Sequence, residues 1–418
     1  MTMPLTLPKT VVMVNDNAFV QGGAAKVAIG EALLLADLGI KVHFFAASGP
    51  PDPRLASHPN IETHCIRGEY DIRQVGGLTL ATRGLWDVFA RREMARLLDR
   101  FDPTTTLVHV HMVREQLSAS VYRPILDADF PIVVTLHEYN IGCPYGGFFD
   151  YTAGAICKRK GLSTECLLAR CNNGSYGRKL WFFAKGKMQQ TKAGVPGRIA
   201  DWICISEKSR SVLEPYLPTG AEVHFVDNPV EAVDLGMREF KPGSPFLFLG
   251  RLTVEKDPVT FAKAAYLLKT PAVFVGDGPL TDDVRKANPD AVLTGWLPKE
   301  QVVEHLRGAR ALVFPSVWYE TLGLTVQEAA ASGVATITSD VCVPADLVIP
   351  GVTGSIFKAG DVDDLASKMT DFLSDQEAAR MGHNAYEKYW DNPLTPERHR
   401  DRLVEVYGRI LSKRGPSG

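Results

Sequence analysis

Short runs of β-branched and aromatic residues alternate along the chain with longer stretches in which apolar positions recur every three or four residues. Residues 11–14, 42–47, 61–66, 107–111, 132–137, 202–206 and 223–226 are short runs rich in β-branched, aromatic and other apolar residues, and they read as buried strands. Each is followed by turn residues and, in most cases, by a helical stretch such as 24–38. This alternation predicts a parallel sheet covered by helices on both sides. The pattern breaks at 228–245, a loop holding Pro229, Pro242, Gly243 and Pro245, and then restarts. Residues 246–249, 273–275, 291–294, 311–314 and 335–338 read as a second set of strands, with helices beginning near Pro258, Leu280, Lys299 and Leu322. The expectation is an α/β chain of two doubly wound, Rossmann-like domains, 1–235 and 236–395. Residues 396–418 follow as a helix expected to pack back on the first domain.

Composition narrows the class. At roughly 100–200 residues per domain, 418 residues suit two domains. A hydrophobic fraction of 45%, with 36 Gly and 27 Pro scattered without period, excludes collagen-like, coiled-coil and wholly disordered chains. The 46 Lys and Arg nearly balance 48 Asp and Glu, so no overall field points to nucleic acid as the partner. Residues 1–228 carry 25 cations against 22 anions, and the remainder 21 against 26, which puts any contact with an anionic surface on the first half. With no run of 18 apolar residues, neither a signal peptide nor a membrane anchor is expected. Seven cysteines, an odd number, fit reduced thiols in the cytoplasm better than a disulfide scaffold.

In open α/β sheets ligands lie beyond the carboxyl ends of the strands, so candidate chemistry is sought there. After the first strand, Gly22 and Gly23 open a helix, where free N–H groups and the lack of Cβ atoms admit a phosphate. The sequence around them matches neither the dinucleotide-binding nor the P-loop glycine pattern. After the first strand of the second domain come Arg251 and Lys256, a guanidinium fork and a point charge suited to a diphosphate. After its fourth strand come Glu320 and Glu328, bracketing a helix start expected at Leu322. Backbone N–H groups of residues 321–324 would face a phosphate there, and the two carboxylates would accept hydrogen bonds from sugar hydroxyls. The combination suits a nucleotide sugar.

These motifs carry a resemblance. Gly250-Arg251 with Lys256, Val275-Gly276-Asp277-Gly278-Pro279, Gly295-Trp296-Leu297 and Glu320 followed eight residues later by Glu328, in this order, resemble the C-terminal domain of glycosyltransferase family 4. The first domain resembles its acceptor domain more loosely, through Gly22-Gly23, Val108-His109-Val110-His111 and Thr135-Leu136-His137-Glu138. The resemblance implies the GT-B architecture, two Rossmann-like domains facing across a cleft, and a retaining transferase. The donor implied is a UDP- or GDP-sugar, and the acceptor a hydroxyl of a saccharide or lipid-linked saccharide. It implies further that Arg251 and Lys256 bind the donor diphosphate, Glu320 the transferred hexose and Glu328 the ribose. Thr321, Leu322, Gly323 and Leu324 would meet sugar and phosphate through their backbone. The stretch around Trp296 would cradle the base, Gly278 would also belong to the donor site, Gly22 and Gly23 would close on the phosphates, and His137 would lie beside the reacting sugar. Where the family often has Glu-Gly-Phe-Gly, this chain has Glu320-Thr321-Leu322-Gly323, so the donor sugar does not carry over from any relative. A phosphorylase or hydrolase on the same fold, and a catalytically idle sugar-nucleotide-binding scaffold, are the alternatives.

Fixed cations and N–H groups aimed at the departing phosphate make a metal unnecessary. Asp127-Ala128-Asp129 and Asp361-Val362-Asp363 match the Asp-x-Asp pattern of metal-dependent transferases, but one precedes a strand and the other opens a helix, so turn and capping roles are expected. Of His109 and His111, only one is expected to face the core, and His111, nearer the strand end, is the acceptor-side candidate. Cys143, Cys157, Cys166 and Cys171 cluster after the His137 strand as a candidate structural zinc site or as ordinary reduced thiols. Residues 158–198 hold ten cations against Glu165 alone, with Trp181, Phe182 and Phe183 among them. This stretch is a candidate docking face for the anionic inner membrane leaflet, or else a solvated helix with its aromatics packed inward.

Overall fold

The computed structural model describes residues 7–68, 82–172 and 174–414. The chain divides into two compact units, one of residues 1–147, 159–229 and 394–418, the other of 148–158 and 230–393. The first is built on a seven-stranded sheet of β1 (Thr10–Asn17), β2 (Lys41–Ser48), β3 (Ile61–Cys65), β4 (Thr106–Met112), β5 (Ile132–Leu136), β8 (Asp201–Cys204) and β9 (Glu222–Phe225). The short strands β6 (Phe149–Asp150) and β7 (Ala155–Ile156) pair antiparallel in the second unit. That unit's six-stranded sheet comprises β10 (Phe246–Leu249), β11 (Ala272–Val275), β12 (Val292–Gly295), β13 (Leu312–Phe314), β14 (Thr336–Ser339) and β15 (Gly354–Phe357).

The strand orders are β3-β2-β1-β4-β5-β8-β9 and β12-β11-β10-β13-β14-β15, with every pairing inside both sheets parallel. Each sheet therefore reverses direction once, between β1 and β4 in the first and between β10 and β13 in the second, and a doubly wound sheet binds its ligand at that switch point. The expected strands all form, because runs such as Val11–Val14 are buried completely and can hide only in a sheet covered on both faces.

The C-terminal helix, Pro396–Ser412, belongs to the first unit. Its Leu403, Val406, Tyr407 and Ile410 enter the same core as Val11, Met13 and Phe44 of the sheet and Ala28, Ile29 and Leu35 of helix α1 (Gly23–Asp37). Their spacing places them on one helical stripe.

The sequence expectation of one inward histidine on β4 fails. Residues two apart on a strand share a face, and His109 and His111 are both buried, with ring centroids 4.0 Å apart. The helix expected from Leu322 starts instead at Leu324, with Gly323 as its N-cap at φ 73°. Glu320 is also left-handed, at φ 57°, and two left-handed residues keep this segment out of a right-handed helix. A Cβ on Gly323 would lie 2.3 Å from the Pro344 ring, so glycine is required there for space as well as for φ.

Candidate active site

In the second unit, the segments that follow β10 and β13, the strands flanking the switch point, bring together Lys256 and Glu320. Lys256 Nζ lies 2.6 Å from Glu320 Oε1, and Ser316 Oγ lies 2.6 Å from the same oxygen. The lysine also sits over the rings of Phe314 and Trp318, at 5.5 and 5.9 Å from their centroids. Glu320 is buried, so its charge depends on these neighbours. Its left-handed backbone is strained for a residue with a Cβ, by ~1–2 kcal/mol, and strain of that kind persists where the surroundings hold it in place.

Arg251 is exposed just past β10. Gly278 closes over the same loop, since a Cβ there would meet the Leu252 carbonyl at 2.4 Å. The Leu324–Ala331 helix begins with the N–H groups of Leu324 and Thr325, while Val326 N–H donates to Gly323 C=O at 2.9 Å. Thr321 and Leu322 form the turn before it, and Leu322 is buried. Glu328 lines a groove of about 560 Å³ together with Val233, Leu235, Val302 and Leu306. Trp296, just past β12, is 67% exposed, leaving its indole available for stacking.

In the first unit, the switch point between β1 and β4 opens into a pocket of about 270 Å³ lined by Asn15, Asp16, Asn17, Gln21, Arg114 and Glu138, among others. Gly22 caps α1 beside it at φ 86°. Asp16 accepts the N–H groups of Arg114, Glu115 and Leu117, which fixes the loop after β4. Burial still raises its pKa above the usual carboxylate value. Asn15 Oδ1, Asn17 Oδ1 and Glu138 Oε1 are buried without hydrogen-bond partners. These oxygens can only accept, so they suit a ligand rich in donors, such as a sugar bearing hydroxyls.

His137 follows β5, with its Nε2 3.0 Å from His111 Nδ1. Burial, reinforced by His111, brings its pKa down to about 3. His109 instead reaches Tyr407 Oη and Thr135 Oγ1, both at 2.7 Å. The two sequence-predicted histidines are thus brought together, and so are Lys256 and Glu320.

The Asp-x-Asp matches have other partners. Asp127 pairs with Arg123 and Arg198, and Asp361 caps the Val362–Asp371 helix by accepting from Asp364 N–H. The four clustered cysteines are divided, Cys157 in the second unit and the other three in the first. Cys171 and Cys166 both contact the buried Lys179, at 3.1 and 3.5 Å from its Nζ. Among the described residues, trios of potential metal ligands occur at Glu31, His109 and His111, at His43, Glu62 and His64, and at Asp201, Glu222 and His224, and none includes a cysteine.

The Tyr176–Met188 helix corrects the count of surface cations. Lys179 and Lys185 are buried on it, and Lys185 Nζ donates to the Arg114 carbonyl. Trp181 lies against Gly84, where a Cβ would come within 2.4 Å of its ring, while Arg178 and Lys187 stand over Phe182 and Phe183 at 5.7 Å. Among the described residues no helix is long and apolar enough to cross a membrane.

Residues 239–388 match the family model described as glycosyl transferases group 1. Residues 21–232, half of the chain, match that of glycosyltransferase family 4. The chain belongs to glycosyltransferase family 4. Over 179 residues it is 32% identical to a sulfoquinovosyl transferase of Arabidopsis thaliana, covering 40% of this chain and 35% of that one. Over 170 residues it is 31% identical to a GDP-mannose-dependent alpha-mannosyltransferase of Corynebacterium glutamicum, covering 40% of each. The chain therefore spans well under half the length of these named relatives. A sucrose-phosphate synthase from Thermosynechococcus elongatus shares the fold, with a TM-score of 0.68 at 15% identity over 97% of this chain and 99% of that one.

Several residues around these sites escaped the sequence reading. Glu31 lies on the apolar face of α1 and His399 on that of the C-terminal helix, and both are buried. A charge on an apolar stripe was the available signal. Ser316, two residues past β13, carried none.

Proposed function

We propose that this chain is a retaining glycosyltransferase that moves a hexose-like sugar from a UDP- or GDP-sugar to a hydroxyl of a saccharide, free or carried on a lipid, without a metal ion. The bond from the anomeric carbon to the diphosphate oxygen breaks, negative charge collects on the departing phosphate, and the bond to the acceptor oxygen forms as the acceptor's hydroxyl proton passes to that phosphate. The observation that carries this reading is the Lys256–Glu320 pair, 2.6 Å apart at the switch point of the second sheet, with the Leu324–Ala331 helix opening four residues later. A cation and helix N–H groups stabilise the leaving charge, and an adjacent carboxylate accepts from sugar hydroxyls. The donor-hungry oxygens of Asn15, Asn17 and Glu138 support a hydroxylated ligand in the first unit. Exposed Arg178, Lys187 and Lys192 support a peripheral contact with an anionic leaflet.

The test is nucleotide release from a panel of UDP- and GDP-sugars, with and without saccharide acceptors, in EDTA. Release that requires an acceptor and survives chelation is expected. Release without acceptor would replace transfer by hydrolysis, and a rate restored only by magnesium or manganese would reinstate a metal.

A further inference from the structure

Lys256 and Glu320 are joined by a third group, Ser316, and all three lie within the second unit. Ser316 is 1% exposed. Its Oγ lies 2.6 Å from Glu320 Oε1 and 2.9 Å from the carbonyl of Glu255, the residue before Lys256. Val317 N–H donates to that same carbonyl at 3.0 Å, and the Ser316 carbonyl accepts from Ser339 Oγ at the end of β14. The serine is therefore tied to the loop after β10, to the end of β14 and to the Glu320 side chain.

A hydroxyl has one proton to give. Of the two oxygens in reach the carboxylate is nearer and charged, so the proton goes to Glu320, at the length of an O–H donor on an ionised acceptor. The Glu255 carbonyl keeps its bond from Val317 N–H. Glu320 Oε1 thus has two donors, the Lys256 ammonium and the Ser316 hydroxyl, each at 2.6 Å. They differ in what else they can serve. An ammonium carries three protons on a flexible stem, and a diphosphate would draw on it. The serine is shut off from solvent and stays with the carboxylate. Glu320 also needs such a partner, because its left-handed backbone at φ 57° persists only where the surroundings hold it.

We propose that Ser316 is a positioning residue for sugar transfer: it stays on Glu320 while the donor's diphosphate engages Lys256, and so keeps the carboxylate aimed at the hydroxyls of the transferred sugar. The sugar and diphosphate roles rest on the glycosyltransferase reading, and the bond between Ser316 and Glu320 does not. Without the serine, Glu320 Oε1 keeps one of these two donors, and that one is drawn to the phosphate in the transition state, where negative charge builds. The loss therefore falls on turnover rather than on nucleotide binding.

The experiment has two arms, both on the full chain. In steady-state transfer from whichever UDP- or GDP-sugar the wild type turns over, Ser316→Ala is expected to lower kcat by about 10–100-fold, the equivalent of a hydrogen bond to a charged group. The donor KM and the calorimetric affinity for the free nucleoside diphosphate are expected to stay as in the wild type. A serine that merely supports the fold would move turnover and nucleotide affinity together, or neither. In urea unfolding without substrate, Ser316→Ala is expected to lower the midpoint in the wild-type background and to leave it nearly unchanged in Glu320→Ala, where the bond is already gone. The proposal is overturned by a Ser316→Ala chain with wild-type kcat, by one whose nucleotide affinity falls as far as its kcat, or by midpoints that fall equally in both backgrounds. The kinetic arm needs only Ser316→Ala, which removes one oxygen, so a Glu320→Ala chain that does not fold leaves the proposal open to refutation. Wild-type kcat in Ser316→Ala refutes the positioning role alone. Coupled midpoints in a chain that transfers no sugar would refute the glycosyltransferase reading, and the positioning role with it.

Discussion

Lys256 and Glu320 hold one another at 2.6 Å, so a diphosphate that draws on the ammonium must share it with the carboxylate. Substituting Lys256 or Arg251 by Ala should each lower turnover by about 10²–10³, the cost of removing one donor to a developing anion. The two differ in stability. Arg251 is exposed and its loss should leave urea unfolding unchanged, whereas Lys256→Ala removes the cation beside the buried Glu320 and should cost about 1–3 kcal/mol. Turnover near wild type in both variants would remove the diphosphate assignment. A second residue-scale expectation concerns pH. Burial brings the Lys185 pKa down to about 8, from roughly 10.4 in an unfolded chain. Between those values the unfolded chain holds a proton that the folded chain lacks, so this group makes stability rise with pH across that window. In Lys185→Met the rise should flatten, as read from urea midpoints between pH 8 and 10. An unchanged slope would show that the ammonium is not buried.

At the scale of elements, the buried strands were legible because a run such as Val11–Val14 has one physical solution, the interior of a covered sheet. The start of the helix after β13 was less so. Its position is set by two left-handed residues, and the sequence marks Gly323 but not Glu320 as one of them. The Tyr176–Met188 helix shows the same limit, because charge alone does not reveal that Lys179 and Lys185 turn inward. If this helix meets an anionic leaflet, Arg178, Lys187 and the 42%-exposed Leu180 carry the contact. Sedimentation with anionic vesicles should then weaken as salt shortens the screening length from about 8 Å to about 3 Å, and Arg178→Gln with Lys187→Gln should mimic the salt. Trp181→Ala should instead lower stability, because the ring is packed on Gly84. Vesicle binding that is negligible at low salt would end the membrane proposal and leave the transferase reading intact.

At the scale of the molecule, two Rossmann-like units could be read from the restart of the strand pattern, but the buried contact between Glu31 and His399 could not. Glu31 and His399 stand 368 residues apart, and nothing local in either segment names the other. The same long-range closure makes the C-terminal helix part of the first unit's foundation. Leu403, Val406, Tyr407 and Ile410 are each at most 6% exposed in the core shared with β1, β2 and α1. At about 1.5–3 kcal/mol for each fully buried apolar side chain, removing them would cost on the order of 6–12 kcal/mol. A typical domain has only about 5–15 kcal/mol in total. A chain ending at Pro393 should therefore lose the first unit's cooperative unfolding and accumulate as insoluble protein, although the helix lies outside both sheets. Tyr407→Phe is the milder probe, since it keeps the ring and removes only the hydroxyl that meets His109 at 2.7 Å. It should lower stability by about 0.5–1.5 kcal/mol, read as a shifted urea midpoint at unchanged slope. A truncated chain that stays soluble and melts like the full one would show that the sheet's core closes without this helix.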